Sequence, residues 1–196
     1  RLAMFEVMPS IGYRAVVDNF DAVRDPFDAP YDWYLLCDWE VDSEEEGAAL
    51  AESILGKAFE AEKVLDAVIA QNETQAEEIL SIREHMSAGQ KFLGGSVKHD
   101  ITVPIDKIPE FFKLADAKCQ EVAPGCRPVG FGHFGDGNIH YNVAQPKDAD
   151  KEAFLEKWDD LSQPIFDIID ELGGSISAEH GIGIMKRDDL AERADP

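Results

Sequence analysis

Asp136-Gly137, inside GFGHFGDGNIHYNVAQ (residues 130–145), constrains this chain more than any other stretch. An Asp-Gly pair between apolar-patterned segments is a strong short-range signal for a tight β-hairpin, because both central positions of a type I′ turn need φ > 0. The first six residues, Gly130 to Gly135, also match the G-x-G-x-x-G spacing of a dinucleotide-binding loop. That loop needs a helix directly after its glycines, since the helix N-terminus carries the pyrophosphate. Here Asp-Gly-Asn-Ile-His-Tyr-Asn-Val follows, with turn and strand character, so the glycines belong to a hairpin. With Asp136 and Gly137 as the turn, Gly135 pairs with Asn138, Phe134 with Ile139, and His133 falls directly opposite His140. Directly opposed residues share a face with Cβ atoms roughly 4.5–5.5 Å apart, which lets two imidazoles meet one cation. Asn142, two residues past His140, points to that same face. Two strand histidines by themselves more often merely pack or face solvent, and a catalytic metal site usually has three protein ligands.

The totals limit what such a hairpin can serve. A chain of 196 residues supports one sizeable core. Lys plus Arg is 18 and Asp plus Glu is 40, a net charge of -22. A field of that sign repels nucleic acid and anionic lipid, and excludes both as partners. An anionic substrate then needs a local island of positive charge. The three cysteines show no C-x-x-C spacing, which suggests reduced thiols in a cytoplasmic compartment. No apolar run approaches membrane-spanning length, and no signal-peptide pattern opens the chain. The chain opens on RLAMFEVMPS, an apolar run without a start methionine, and reads as a piece of a longer polypeptide.

Along the chain, Tyr31 to Val41 reads as a strand. Ser43 with Glu46 forms a capping box that opens a helix through about Glu62. Val64 to Ala70 reads as a short apolar strand, and Asn72 with Gln75 caps a further helix striped by Ile79, Leu80, Ile82 and Met86. Ser96 to Val103 alternates, with Val97, Ile101 and Val103 on one face and Lys98 and Thr102 on the other. Asp106 then caps a helix carrying Phe111, Leu114, Ala115 and Val122. After the hairpin, apolar residues step at three and four from Phe154 to Leu172, with Pro164 placed to kink or split that helix. This order predicts an α+β fold: a ferredoxin-like antiparallel sheet with helices packed on one face.

SISAEHGIGIMKR (Ser175 to Arg187) supplies Glu179 and His180 at a glycine-marked bend, where both can reach one site only if Gly181 kinks the chain. GHFGDGNIHYN followed by SAEHGIG is similar to the C-terminal domain of FAD-linked 2-hydroxy-acid dehydrogenases of the vanillyl-alcohol-oxidase superfamily. SISAEHGIG together with Lys98-His99-Asp100 resembles the D-2-hydroxyglutarate dehydrogenase branch, with the D-lactate enzymes as its neighbours. The resemblance implies that residues 1–196 form one substrate domain that closes over FAD. The flavin would be held by a separate N-terminal FAD-binding domain of the same polypeptide, absent from this chain. It implies a divalent metal, zinc or manganese, on His133, His140 and Glu179, with His180 as the base. It places Arg83, Ser87 and Lys98 against substrate carboxylates and Asn142 near the hydroxyl or carboxylate. Ser87 stands where relatives carry threonine. The small-molecule partner implied is a D-2-hydroxy acid, with an electron-acceptor protein beyond the flavin, and this fragment alone should not turn over substrate.

The residues leave two other readings open. One is a free-standing metal-dependent hydrolase with Glu179 or His180 activating water. The other is a non-catalytic acidic module that docks an electron-transfer partner through its charge.

Overall fold

In the computed structural model, residues 1–184 and 186–193 are described. Strand β1 (Leu2–Pro9) runs into helix α1 (Ser10–Val17), and β2 (Trp33–Trp39) returns beside it. Helices α2 (Glu44–Glu60), α3 (Glu73–Glu84) and α4 (Met86–Gly89) follow, the last continuing as a 3₁₀ turn at Gln90–Leu93. Then come β3 (Ser96–Thr102), α5 (Ile108–Val122), β4 (Arg127–His133) and β5 (Asn138–Ala144). The chain closes on α6 (Lys151–Leu155), α7 (Trp158–Glu171) and α8 (Arg187–Arg193). One five-stranded antiparallel sheet results, in the order β2-β1-β4-β5-β3. Because β5 lies between β3 and β4, the unit β3-α5-β4 is a split β-α-β, the ferredoxin-like element expected from the chain order.

Strand alternation decides what each sheet face buries. Val97, Ile101, Ile139, Tyr141 and Val143 pack under Phe111 and Ala115 of α5 and Leu161, Ile165 and Ile169 of α7. On the opposite face, Val129, Phe131 and Ala144 meet Tyr13 and Val16 of α1, Ile82 of α3 and Met86 of α4. The α+β antiparallel sheet is as expected, but the helices do not pack on one face: α5 and α7 cover one and α1, α3 and α4 the other, because alternating strand residues are apolar on both faces. Each fully buried Val, Leu, Ile, Phe or Met among them contributes about 1.5–3 kcal/mol.

Several local readings hold. Ser43 Oγ accepts from the Glu46 N–H at 3.2 Å, and Asn72 Oδ1 accepts from the Gln75 N–H at 3.0 Å, so both expected caps form. Other readings change. Val64 to Ala70 pairs with no strand, and Leu65 is 79% exposed; without a hydrogen-bonding neighbour an apolar run does not become a strand. The expected cap at Asp106 instead falls in a 3₁₀ turn, Ile105–Lys107, and α5 starts at Ile108 with Pro109 in its first turn. The long C-terminal helix splits at Glu156 and Lys157, while Pro164 sits inside α7. Pro164 cannot donate the usual helical hydrogen bond to the Asp160 carbonyl, and that residue is exposed to water.

The hairpin itself is longer than the two-residue turn. Residues 134–137 form a four-residue loop, and the ladder pairs Phe131 with His140 and Gly130 with Tyr141. Gly137 takes φ 86°, and a Cβ there would stand 2.2 Å from the Val103 carbonyl oxygen. His133 therefore does not face His140 directly. The register moved by two residues, and a shift of two preserves the face, so both imidazoles still point the same way.

Candidate active site

The site begins with a row of polar side chains on one sheet face. Lys98 pairs with Asn142 and Asp100 with His140 across β3 and β5, while Glu6 pairs with His133 across β1 and β4. Alternation sends all six side chains to the same face. Above them, Arg83 and Ser87 descend from α3 and α4, and residues 179–184 arrive from the segment between α7 and α8. These elements enclose a cleft of about 830 Å³. No helix among the described residues is long and apolar enough to cross a membrane.

Every residue expected at the site lines this cleft: Arg83, Ser87, Lys98, His133, His140, Asn142, Glu179 and His180. His133, His140 and Glu179 each offer a donor atom, and those atoms lie within 4.8 Å of one another. His133 Nε2 stands 3.4 Å from Glu179 Oε1. Tetrahedral zinc with bonds of about 2.0–2.1 Å has ligand–ligand edges of about 3.3–3.4 Å, so this pair already has the spacing of two ligands. Two imidazole nitrogens and a carboxylate oxygen also suit a borderline divalent ion by chemistry. The residues present therefore fit a metal.

Burial lowers the pKa of His140, assisted by the Arg83 charge and opposed by the Asp100 and Glu179 carboxylates, which favours the neutral ring that a metal ligand needs. His180 is 71% exposed at the cleft mouth, and its ring stacks on His140 with centroids 5.7 Å apart. Asn142 is buried, its amide donating to Gln90 Oε1 at 2.9 Å and accepting from the His99 N–H at 3.3 Å. Lys98 is exposed and has no ion pair among the described residues.

Two carboxylates organise the site. Asp100 Oδ2 accepts from the backbone N–H groups of Glu179 at 2.9 Å and His180 at 2.8 Å, which bends residues 179–180 over the sheet. Burial raises its pKa, but those two donors, His180 and His140 outweigh that and hold it below the usual carboxylate range. Its Oδ1 is buried without a hydrogen bond, with His140 Nδ1 at 3.5 Å in ion-pair range only. Glu6 is 1% exposed and contacts both Arg83 and His133. Asp100 entered the sequence reading only as part of a motif, and Glu6 did not enter it at all. A lone acid in LAMFEVMP was the available signal, since a buried charge needs partners. His99 likewise entered only within that motif: it is buried beneath the cleft, bonded to the Tyr141 carbonyl at 2.8 Å and Ser162 Oγ at 3.0 Å.

A split β-α-β sheet gathers two imidazoles, a carboxylate and an arginine on its polar face under a bent loop, and no helix directly follows the hairpin glycines as a dinucleotide-binding loop requires. The chain belongs to the family described as FAD linked oxidases, C-terminal domain, whose model matches residues 1–196. It is 35% identical over 195 residues to a D-2-hydroxyglutarate dehydrogenase of Stutzerimonas stutzeri, covering 100% of this chain and 41% of that protein. It is 31% identical over 188 residues to one of Xanthomonas citri pv. viticola, covering 95% and 39%. A mitochondrial D-2-hydroxyglutarate dehydrogenase of Arabidopsis thaliana is 29% identical over 189 residues, covering 96% and 32%. The chain thus spans 32–41% of the length of these relatives.

Proposed function

We propose that this chain is the substrate domain of a flavin-dependent dehydrogenase that oxidises a D-2-hydroxy acid, of the 2-hydroxyglutarate or lactate type, to the 2-oxo acid. The convergence of His133, His140 and Glu179 beside Arg83 and Lys98 carries this reading. The family match and the names of the relatives support it. FAD, held by another part of the polypeptide, would supply the hydride acceptor, and a divalent ion of the zinc or manganese type on the three ligands would supply Lewis acidity at the substrate oxygens.

The chain's own residues do the rest. Arg83 and Lys98 provide the positive charge that a protein of net charge -22 must concentrate to hold an acid. Arg83 uses its Nε on Glu6, which leaves its two terminal nitrogens for a carboxylate. Two cationic groups in addition to the metal ligands fit a dicarboxylate better than lactate. The Ser87 hydroxyl and the Asn142 amide add neutral hydrogen bonds along the same wall. His180 takes the hydroxyl proton as the C2–H pair departs as hydride, and its exposed ring passes that proton on to water.

The experiment is flavin reduction by 2-hydroxyglutarate and lactate in the full-length protein. His180→Ala should leave flavin bound and slow its reduction about 10²–10⁴-fold, the usual worth of a general base. His133→Ala should remove bound metal. Reduction at the unmutated rate in His180→Ala, with metal content unchanged in His133→Ala, defeats the proposal.

A further inference from the structure

The carboxylate of Glu6 is the most deeply buried charge beside the cleft, and no role assigned so far uses it. It lies on β1, a strand inside the sheet, opposite His133 in the short β1–β4 ladder. Its two oxygens go separate ways. Oε2 accepts from Arg83 Nε at 2.5 Å, and Oε1 contacts His133 Nδ1. The far nitrogen of the same ring, Nε2, is the one 3.4 Å from Glu179. Arg83 is further fixed by Phe131, whose ring centroid lies 5.0 Å from the guanidinium carbon.

A buried ion pair is not needed for stability, since apolar side chains of similar volume do as well or better. Apolar neighbours are abundant: Met8 on the same strand face belongs to the core under α1. The geometry of this carboxylate therefore points to a positioning role. We propose that Glu6 is the positioning residue that ties the substrate-binding guanidinium to a metal-binding imidazole, holding His133 in the tautomer whose Nε2 lone pair faces Glu179 and His140. This rests on His133 being a metal ligand. A histidine ligand whose second ring nitrogen donates to a carboxylate is fixed in tautomer and orientation, and losing such a partner typically weakens metal binding 10–100-fold.

Glutamine tests this because of its asymmetry. Arg83 Nε–H and His133 Nδ1–H are both donors, and a carboxylate accepts from both. A Gln amide accepts through its oxygen alone and turns its NH₂ toward the second donor. The imidazole relieves that clash by moving its proton to Nε2, where it blocks the ligand lone pair, or the guanidinium swings away.

Two measurements read this in the full-length protein. Zn²⁺ affinity, by competition with a chromophoric chelator, should fall 10–100-fold in Glu6→Gln and remain within threefold in Arg83→Gln, which leaves the carboxylate to His133 alone. Separately, two-bond ¹H–¹⁵N correlation of metal-free, ¹⁵N-histidine-labelled protein, above the ordinary imidazole titration range, should show His133 protonated at Nδ1. The second measurement needs no variant to fold. An Nε2–H tautomer in the unmutated protein, or equal Zn²⁺ affinity in folded Glu6→Gln, overturns the assignment while leaving the proposed activity standing. If the unmutated protein binds no Zn²⁺, the metal reading and this inference fall together.

Discussion

The two halves of the sheet are built from similar residues and end in different environments. Strands β4 and β5 carry helices on both faces and β3 on one, its polar face opening into the cleft, and Val97, Ile101, Val129, Phe131, Ile139, Tyr141 and Val143 are all fully buried. Strand β2 is as rich in aromatic and branched residues, yet Trp33 is 50% and Leu35 54% exposed. Tyr34 and Leu36 pack under α1, while on the other face Trp33 meets the Phe112 ring of α5 edge-on at 5.7 Å and Leu35 stays open. An apolar sequence is thus no measure of burial; the number of covered faces is. The site occupies the boundary between these halves, where β4 leaves β5 to pair with β1. There a side chain can be anchored in the core at one end and reach an open cleft at the other.

The sharpest way to break this comparison is to truncate one apolar side chain in each half. Phe111→Ala, beneath the doubly covered sheet, should cost about 3–5 kcal/mol of unfolding free energy in a denaturant titration. Comparable losses from Phe111→Ala and Leu35→Ala would erase the distinction.

A slightly smaller effect sharpens it through pH. Burial pushes the pKa of His99 down to about 4, with its bond to the Tyr141 carbonyl opposing and the Lys186 charge assisting. The unfolded chain binds a proton there near pH 6.5. Between those values the unfolded state holds more protons than the native one, so stability is complete above about pH 6.5 and declines as pH falls toward 4. The total is roughly 3 kcal/mol, and stability measured across this range should lose that slope in His99→Gln. An identical slope in the variant would mean that the helix-covered face does not exclude the charge.

The smallest expected effect is at Leu35 itself. Leu35→Ala should change stability by no more than about 0.5 kcal/mol, as for most exposed positions. A larger loss, read from the same titration, would show that the open face of β2 is covered in solution.

Much of the site was legible because a strand has a period of two. The exact pairing of His133 was misjudged, but an error of two residues keeps both imidazoles on one face, and Lys98, Asp100 and Asn142 follow by the same rule. The helix caps at Ser43 and Asn72 were legible because they involve neighbours three residues apart. β1 was not, because a strand flanked on both sides reads as an unbroken apolar run. Val64 to Ala70 erred the other way: its residues suit a strand, but among the described residues no strand pairs with it.

The sequence by itself determined which faces the histidines share, where helices begin, and the motif pair that marks the family, since each depends on spacings within a few residues. Only the tertiary structure decided that Asp100 would bend a loop 79 and 80 residues away, and that Glu6 would meet an arginine 77 residues distant. Such contacts follow from buried charge, which must find partners wherever the packed sheet places them, and no local spacing encodes where that is.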